Sequence, residues 1–166
     1  MVNRAVSDTS PILHLNEINL LKIFDIFDIL VPEQVVDELI KNKIILPKKI
    51  KVEKLKAEGK DTIKVLTNDY NLDIGEAAAI ALFLQKKANY FFTDDLDARQ
   101  AAKQFNIKVH GTIGIILRAL REKIIDKEIA HKKVVELYSN SSMFISKDLV
   151  YETLKAIKEF KNKENS

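Results

Sequence analysis

YFFTDDLDARQ, residues 90–100, joins a short apolar run to a cluster of aspartates and then to a helix-forming segment. The apolar run is typical of a buried strand, and the residues that follow favour a helix. One aspartate would suffice to cap that helix and complement its dipole, but Asp94, Asp95 and Asp97 lie within four positions. Carboxylates this close raise one another's pKa unless a cation compensates their charge. The segment therefore predicts a strand, an acidic site and a helix, in that order.

The same alternation of strands and helices continues in both directions from this segment. Strands are predicted over residues 3–8, 27–32, 61–69, 89–93 and 107–111. Helices are predicted over residues 10–24, 32–42, 72–88, 96–106, 112–125, 126–139 and 146–162, with a loop and a short helix over residues 43–61. Short strands that alternate with helices are typical of a parallel sheet covered on both faces. The sequence thus predicts an α/β fold, a three-layer α/β/α sandwich with a central, mostly parallel sheet.

Length and composition exclude several classes of protein. The chain of 166 residues suggests a single domain over residues 1–160, followed by a disordered tail over residues 161–166. It has no cysteine, which excludes disulfides and thiolate metal sites. No apolar run reaches the roughly 20 residues that span a bilayer, and no signal-peptide pattern is present, so we expect a cytoplasmic protein. A net charge of +3 is compatible with a nucleic-acid partner.

Two acidic groups follow strands that we expect to be parallel. Asp8 ends the first predicted strand, and Asp94 and Asp95 follow the fourth. Because ligands of open α/β sheets bind beyond the carboxyl ends of the strands, these carboxylates are expected along one edge of the sheet. We expect Ser10 to cap the first helix, which leaves Asp8 spare for a structural turn or for a functional role.

Two helices carry further carboxylates whose roles the pattern leaves open. Glu76 stands three residues after Asp73 at a helix start, and this spacing by itself favours a structural capping box. The same helix is apolar nearly all round, so Glu76 also lies at the mouth of a helix that we expect to be buried. On the helix at 32–42, Asp37 and Glu38 flank the apolar stripe almost symmetrically, and periodicity does not choose between them.

The remaining polar motifs indicate no chemistry. The histidines, His14, His110 and His131, are scattered and have neither metal-ligand spacing nor a cysteine partner. The segment GTIG at 111–114 is too short for a phosphate-binding P-loop and has no lysine. Thr112 is instead expected to cap the helix that follows.

Five segments occur in the order found in one family of nucleases. They are SDTSPILHL (7–15), VPEQVVDELI (31–40), LDIGEAAAIAL (72–82), FFTDDLDARQAA (91–102) and VHGTIGIILRA (109–119). In these segments the chain resembles the PIN-domain nucleases, and it looks like a member of the branch of small prokaryotic proteins related to VapC toxins. The resemblance covers roughly residues 5–120, and the helices that follow match less clearly.

The resemblance implies a Mg²⁺- or Mn²⁺-dependent ribonuclease with a PIN-like fold. By position, it implies metal-binding and catalytic roles for four acidic residues, namely Asp8, Glu38, Glu76 and Asp95. It favours Glu38 over Asp37, which periodicity does not. Three acidic residues share the last segment, so Asp94 and then Asp97 are alternatives to Asp95 as a metal ligand.

The resemblance also implies binding partners. Toxin relatives are usually paired with an antitoxin and often dimerise, so we expect an RNA substrate, an antitoxin protein and a homodimer, without a membrane.

The alternative function is a catalytically degenerate PIN-like module that binds RNA or protein, although no acidic position is lost here. A Toprim-like metal site uses a glutamate at the first strand and a later Asp-x-Asp. The segment DLD at 95–97 fits the second requirement, but the first strand here ends in aspartate and no glycines follow it. A phosphatase with Asp-x-Asp at its first strand is excluded by SDTSP at 7–11.

Overall fold

The computed structural model describes residues 2–161, which form five strands and eight α-helices. The strands are β1 (Asn3–Ser7), β2 (Phe27–Pro32), β3 (Lys51–Glu53), β4 (Tyr90–Phe92) and β5 (Val109–His110). The α-helices are α1 (Thr9–Glu17), α2 (Glu33–Lys41), α3 (Ala57–Asp69), α4 (Ile74–Lys86), α5 (Leu96–Gln104), α6 (Thr112–Arg121), α7 (Lys127–Asn140) and α8 (Lys147–Glu159). A short 3₁₀ helix spans Leu21–Ile26.

All five strands are parallel and lie in one sheet in the order β3-β2-β1-β4-β5. The central strand, β1, pairs with β2 on one side and with β4 on the other. The chain therefore winds outward through β2 and β3 and then crosses to the other side of β1, so the winding direction reverses between β1 and β4. Ligands of open α/β sheets bind at such a reversal, beyond the carboxyl ends of the strands.

Two groups of helices flank the sheet. α4 packs against β1, β2 and β4, and it also contacts α2 and α3. α1 contacts α6 and α7, and α7 pairs with α8. In α4 every residue from Ala77 to Phe83 is buried, and four of these seven are alanines that allow close packing. The predicted α/β sandwich with a parallel sheet is confirmed.

The third strand does not lie where the sequence predicts it. Residues 61–69 belong to α3, and the third strand is Lys51–Glu53, which pairs with the end of β2 at the edge of the sheet. In α3, Ile63 and Leu66 pack against the core, whereas Val65 is 51% exposed. The β-branched residues of this segment favour a strand, but burial at helical spacing and packing on α4 stabilise a helix instead.

The predicted helix at 10–24 is interrupted. α1 ends at Glu17, and the 3₁₀ helix follows after a turn at Asn19, whose φ is 53°. Asparagine tolerates this left-handed conformation better than most residues, so the turn forms there although the apolar pattern continues through it. The loop and short helix predicted over residues 43–61 are not found as such, because this stretch holds β3 and the start of α3. The remaining predicted strands and helices are confirmed, with their ends shifted by a few residues.

The structure bears only in part on two further predictions, the disordered tail and the absence of a membrane-spanning segment. Residues 162–166 lie outside the described part of the chain, so the predicted tail at 161–166 is described only at Lys161. Among the helices of residues 2–161, none has the length and apolar character needed to cross a bilayer.

Candidate active site

An open cavity of about 690 Å³ lies beyond the carboxyl ends of β1 and β4. Its lining comes from the start of α1, from α2, from the starts of α4 and α5, and from the segment that joins α7 to α8. Seven carboxylates line it, namely Asp8, Glu38, Asp73, Glu76, Asp94, Asp95 and Asp97. The lining that the described residues provide includes no lysine or arginine. The fold thus brings all six predicted acidic site residues to one cavity, together with Asp73.

Asp8 follows β1 directly and is 3% exposed. Its Oδ1 accepts hydrogen bonds from the N–H of Ser10 at 3.1 Å and from Ser10 Oγ at 2.9 Å, and its Oδ2 accepts one from Thr93 Oγ1. Asp8 is therefore the N-cap of α1. The prediction that Ser10 caps this helix is wrong, because α1 begins at Thr9.

Glu38 reaches the cavity from α2. The hydroxyl of Thr9 donates to its Oε2. A Cβ at Gly75, near the start of α4, would lie 2.1 Å from Glu38 Oε1, so the missing side chain there makes room for this carboxylate. Asp37, which periodicity does not separate from Glu38, is exposed and is not among the lining residues.

Glu76 and Asp73 form a capping box at the start of α4. The N–H of Glu76 donates to Asp73 Oδ1 at 2.8 Å, and the N–H of Asp73 donates to Glu76 Oε2 at 3.0 Å. The structural role that the spacing favours is thereby confirmed. Both side chains also line the cavity, so the capping box holds them at its wall.

The three aspartates after β4 have different environments. Asp95 is the N-cap of α5, and its Oδ1 accepts a hydrogen bond from the N–H of Ala98 at 2.8 Å. Asp97 is exposed and lies at the wall of the cavity. Asp94 is the most deeply held of the three, with 6% of its side chain exposed. Only Asp95 therefore combines a fixed position with one carboxylate oxygen that makes no hydrogen bond to the described residues.

Asp94 joins three separate parts of the chain. Its Oδ1 accepts from the N–H of Thr112 at 2.7 Å, and its Oδ2 accepts from Thr112 Oγ1 at 2.5 Å and lies 2.7 Å from His14 Nδ1. The sequence pattern assigns His14 no role, because its partner is 80 positions away in the sequence. The prediction that Thr112 caps α6 is also wrong, because Gly111 occupies the cap and Thr112 is the first helical residue.

The carboxylates differ in whether the protein compensates their charge. Burial raises the pKa of Asp8 well above its usual value, and burial also raises the pKa of Glu38. Burial, with repulsion from nearby carboxylates, raises the pKa of Glu76 to about 7. Burial would also raise the pKa of Asp94, but hydrogen bonds from its neighbours outweigh this effect and lower its pKa. The protein thus compensates the charge of Asp94 and leaves those of Asp8, Glu38 and Glu76 largely uncompensated.

The chemistry of this donor set fits a hard divalent cation. Its charged donors are carboxylate oxygens, which Mg²⁺ and Mn²⁺ prefer, and burial raises the pKa of three of these carboxyl groups, so that a bound cation would favour their charged form. No three histidine, aspartate or glutamate side chains within residues 2–161 are close enough together to hold one ion. Hydroxyl and backbone donors bind the carboxylate oxygens instead. The types of donor atom therefore fit a divalent cation, whereas the carboxylates do not converge into a complete set of ligands around one point.

Hydroxyl side chains for which the sequence predicts no role in the site hold it together. Thr93 is fully buried, donates to Asp8 and accepts from the N–H of Asp95 at 3.1 Å. The Oγ of Ser10 accepts from the N–H of Asp94 at 3.0 Å. These bonds tie the ends of β1 and β4 to each other. The available signal was a serine or threonine beside each aspartate, in SDTS and in FFTDD.

Comparison with known proteins adds an independent observation. A protein-family model described as a PIN domain matches residues 4–159 of the chain. The matched range includes every residue that lines the cavity, and it extends through α8, beyond the segments on which the sequence resemblance rests. A search of curated proteins finds no match.

Proposed function

The chain belongs to the PIN-domain family, whose fold is that of nucleases, and from this premise we propose that it is a Mg²⁺- or Mn²⁺-dependent endoribonuclease. The family by itself indicates a hydrolase that acts on nucleic acid. The dependence on a divalent metal, the choice of RNA and the residues that carry the reaction belong to the proposal.

The observation that carries this proposal is uncompensated negative charge at the reversal point of the sheet. Asp8, Glu38 and Glu76 line one cavity, and the pKa of each is raised. Thr112 and His14 bond to the carboxylate of Asp94, whereas no lysine or arginine of the described residues lines the cavity beside the other three carboxylates. Their arrangement is instead suited to a cation that comes from solution.

Four carboxylates would hold the metal in this proposal, namely Asp8, Glu38, Glu76 and Asp95. Asp95 is preferred to Asp94 because hydrogen bonds already compensate the charge of Asp94, which we assign to positioning the end of β4. Asp97 is exposed, and no hydrogen bond to the described residues fixes its side chain at the site, so it is the weaker candidate.

Each proposed ligand has a positioning contact. Ser10 and Thr93 orient the two oxygens of Asp8, and Thr9 orients Glu38. The capping box of α4 orients Glu76, and the N-cap bond of α5 orients Asp95. When bound, a divalent ion would lower the pKa of a water molecule and compensate charge on the phosphate. Hydrolysis would add the water oxygen to phosphorus and break the P–O3′ bond, leaving a 5′-phosphate and a 3′-hydroxyl.

Finer aspects of the function rest on the resemblance of the sequence to VapC-related proteins. A toxin role, an antitoxin protein as partner, a homodimer and a cytoplasmic location belong to the same proposal. The basic composition of the chain, with 27 lysines and arginines against 24 acidic residues, is compatible with attraction of RNA to an otherwise acidic site.

Cleavage of a mixed-sequence single-stranded RNA tests the proposal. We expect the wild type to cut with Mn²⁺ or Mg²⁺ and not with a chelator. Asp8→Asn should lower the rate by about 100-fold or more, because it removes a carboxylate that would hold the metal. Asparagine is also a good N-cap, so α1 should keep its start in this variant.

Asp61→Asn is the matched control, since Asp61 is an exposed aspartate on α3 that does not line the cavity. It should cut RNA at the wild-type rate. Unchanged cutting by Asp8→Asn would overturn the ligand assignment. Folded wild-type protein that cuts no RNA with either metal would contradict the nuclease proposal and favour the binding module.

A further inference from the structure

The segment between α7 and α8, residues 141–146, presents an aromatic side chain to solvent. Phe144 is 95% exposed, more than any other large apolar side chain in the described part of the chain. Burying a phenylalanine side chain stabilises a protein by about 1.5–3 kcal/mol, and a fully exposed phenylalanine does not contribute this free energy. The exposure of this side chain therefore needs a reason.

A loose loop is not the reason, because the segment is held on both sides of Phe144. The N–H of Ser142 donates to Glu17 Oε2 at 2.8 Å, and its Oγ donates to Glu17 Oε1 at 2.6 Å, which fastens the segment to α1. Ile145 is buried in the core, and Met143 packs against the core. The backbone is thus positioned while the ring of Phe144 is left free.

Phe144 also lies at the wall of the acidic cavity. Ser142, Met143 and Phe144 line it together with the carboxylates, and so does Leu96 at the start of α5, which is 73% exposed. One cavity therefore combines carboxylates that would bind phosphate through a metal with a small exposed apolar ledge. We name Leu96, Met143 and Phe144 the apolar ledge.

A nucleotide is the ligand with both of these chemistries, since it joins an anionic phosphate to a flat base with an apolar face. We propose that Phe144 stacks on an unpaired base next to the phosphate that is cut, with Leu96 and Met143 beside it. Base stacking on an aromatic ring requires a base that is not paired in a duplex, so the ledge selects single-stranded RNA. This inference rests on the proposed nuclease function and names a side chain that would hold its substrate.

A protein partner is the competing occupant of the ledge. The ledge is small, and polar Ser142 and Asp97 also line the cavity beside it, whereas protein interfaces usually bury far larger areas. The same cavity also holds the carboxylates on which phosphate would bind. These observations favour a nucleotide.

The chain has no tryptophan, so Phe144→Trp introduces a single fluorescent reporter at the ledge. With Asp8 intact and Ca²⁺ in place of Mg²⁺, so that the site holds a divalent ion while cleavage is slow, we would titrate this variant with a ten-nucleotide single-stranded RNA. The same backbone without bases and a duplex of the same sequence are the comparison ligands. Tyr151→Trp is the matched control, because Tyr151 is 66% exposed on α8 and does not line this cavity.

We expect the single strand to quench the tryptophan fluorescence of the Phe144→Trp variant to saturation, and the baseless backbone and the duplex to quench it little. The fluorescence of the Tyr151→Trp control should respond to none of them. In cleavage assays Phe144→Ala should raise KM about tenfold with kcat nearly unchanged, and Phe144→Trp should restore KM. A residue that only supported the fold would not give this split.

Three results would overturn the inference. Equal quenching by the baseless backbone would show contact with phosphate alone, and equal quenching by the duplex would remove the selection of single strands. An unchanged KM in Phe144→Ala, with RNA still cut by the wild type, would leave the nuclease proposal standing and assign the ledge to a protein partner. Absence of both cutting and binding by the wild type would instead refute the nuclease function on which the inference rests.

Discussion

Glu76 serves the fold and the proposed site through the same side chain. Its Oε2 closes the capping box with Asp73, which needs only an acceptor, whereas metal binding needs the charge. Burial and the charges of Asp73, Asp95 and Glu38 raise its pKa to about 7. At neutral pH without metal, the side chain is therefore close to half protonated.

This raised pKa predicts a pH dependence of stability in the presence of a chelator. In the unfolded chain a glutamate titrates near ~4.3, so the folded state binds the proton more tightly. The contribution of Glu76 to the free energy of unfolding is complete below about pH 4.3 and is lost as the pH rises to about 7. Glu76→Gln mimics the protonated form. Its stability relative to wild type should therefore increase over this range, by about 1 kcal/mol because solvent screens a half-exposed group.

Thermal unfolding at a series of pH values between 4 and 8 measures this difference. Glu58→Gln is the control, because Glu58 is an exposed glutamate in the first turn of α3. Glu58 does not line the cavity, so this variant reports the effect of replacing a surface glutamate outside the site. If the stability difference between Glu76→Gln and wild type did not change with pH, Glu76 would titrate in the folded protein as it does in the unfolded chain.

At the scale of elements, the start of α4 and the middle of α2 share the space around Glu38. α2 projects Glu38 toward the cavity, and α4 has glycine at 75, where a Cβ would lie 2.1 Å from Glu38 Oε1. Glycine costs a helix stability, so its presence inside α4 has a packing reason. The close approach of the two helices is what places a carboxylate from α2 beside one from α4.

Gly75→Ala should therefore damage the site more than the fold. The new Cβ would displace the carboxylate of Glu38, and a shift of about 1 Å in a group that positions a metal lowers activity by about 10- to 100-fold. Gly114→Ala in α6 is the matched control, since its Cβ would lie 3.7 Å from His110 Cβ, an ordinary contact. That variant should keep full activity and gain about 0.5–1 kcal/mol of stability.

RNA cleavage rates and thermal unfolding of the two glycine variants measure these effects. Full activity in Gly75→Ala would show that Glu38 can leave its observed position without loss, and would remove it from the proposed ligands. Loss of activity in Gly114→Ala would point instead to a general sensitivity of the helices to substitution.

At the scale of the whole molecule, charge is distributed unevenly. The chain carries a net charge of +3, yet the cavity at the reversal point of the sheet is lined by seven carboxylates and, within the described residues, by no lysine or arginine. The parallel sheet brings the ends of β1 and β4 together, so it also concentrates their like charges. Folding without a counterion therefore works against electrostatic repulsion at this point.

A divalent cation should stabilise the folded protein. A ligand at 100 times its Kd that binds only the folded state contributes about 2.7 kcal/mol. For a chain of this size, that corresponds to a rise in Tm of roughly 5–10 °C. Calorimetry with Mn²⁺ or Mg²⁺ against a chelator measures the rise. In Asp8→Asn the rise should be much smaller, and the metal-free variant should be more stable than metal-free wild type because one buried charge is gone.

NaCl at matched ionic strength is the control for this measurement, because it screens charge without binding as a ligand. It should raise Tm much less than the divalent salts. Equal effects of NaCl and Mn²⁺, or an equal rise in Asp8→Asn, would contradict a specific site at Asp8.

Much of the fold follows from the sequence because its signals are local. The apolar runs before Asp8 and Asp94 predict strands, and a parallel sheet then requires that both aspartates lie at one edge. The spacing of Asp73 and Glu76 predicts the capping box, which involves only neighbouring residues. Local signals mislead at residues 61–69, where β-branched residues favour a strand and packing on α4 stabilises a helix.

The partners of the acidic side chains were decided only by the tertiary structure. Asp94 meets His14 across 80 positions, and Glu38 meets Thr9 across 29. No periodicity or spacing reports such contacts, since they depend on how the helices pack around the sheet. The sequence by itself determined that carboxylates gather at the ends of β1 and β4. The packing decided for which of them hydrogen bonds favour the charged form and for which burial disfavours it, because burial and hydrogen bonding set each pKa only once the chain has folded.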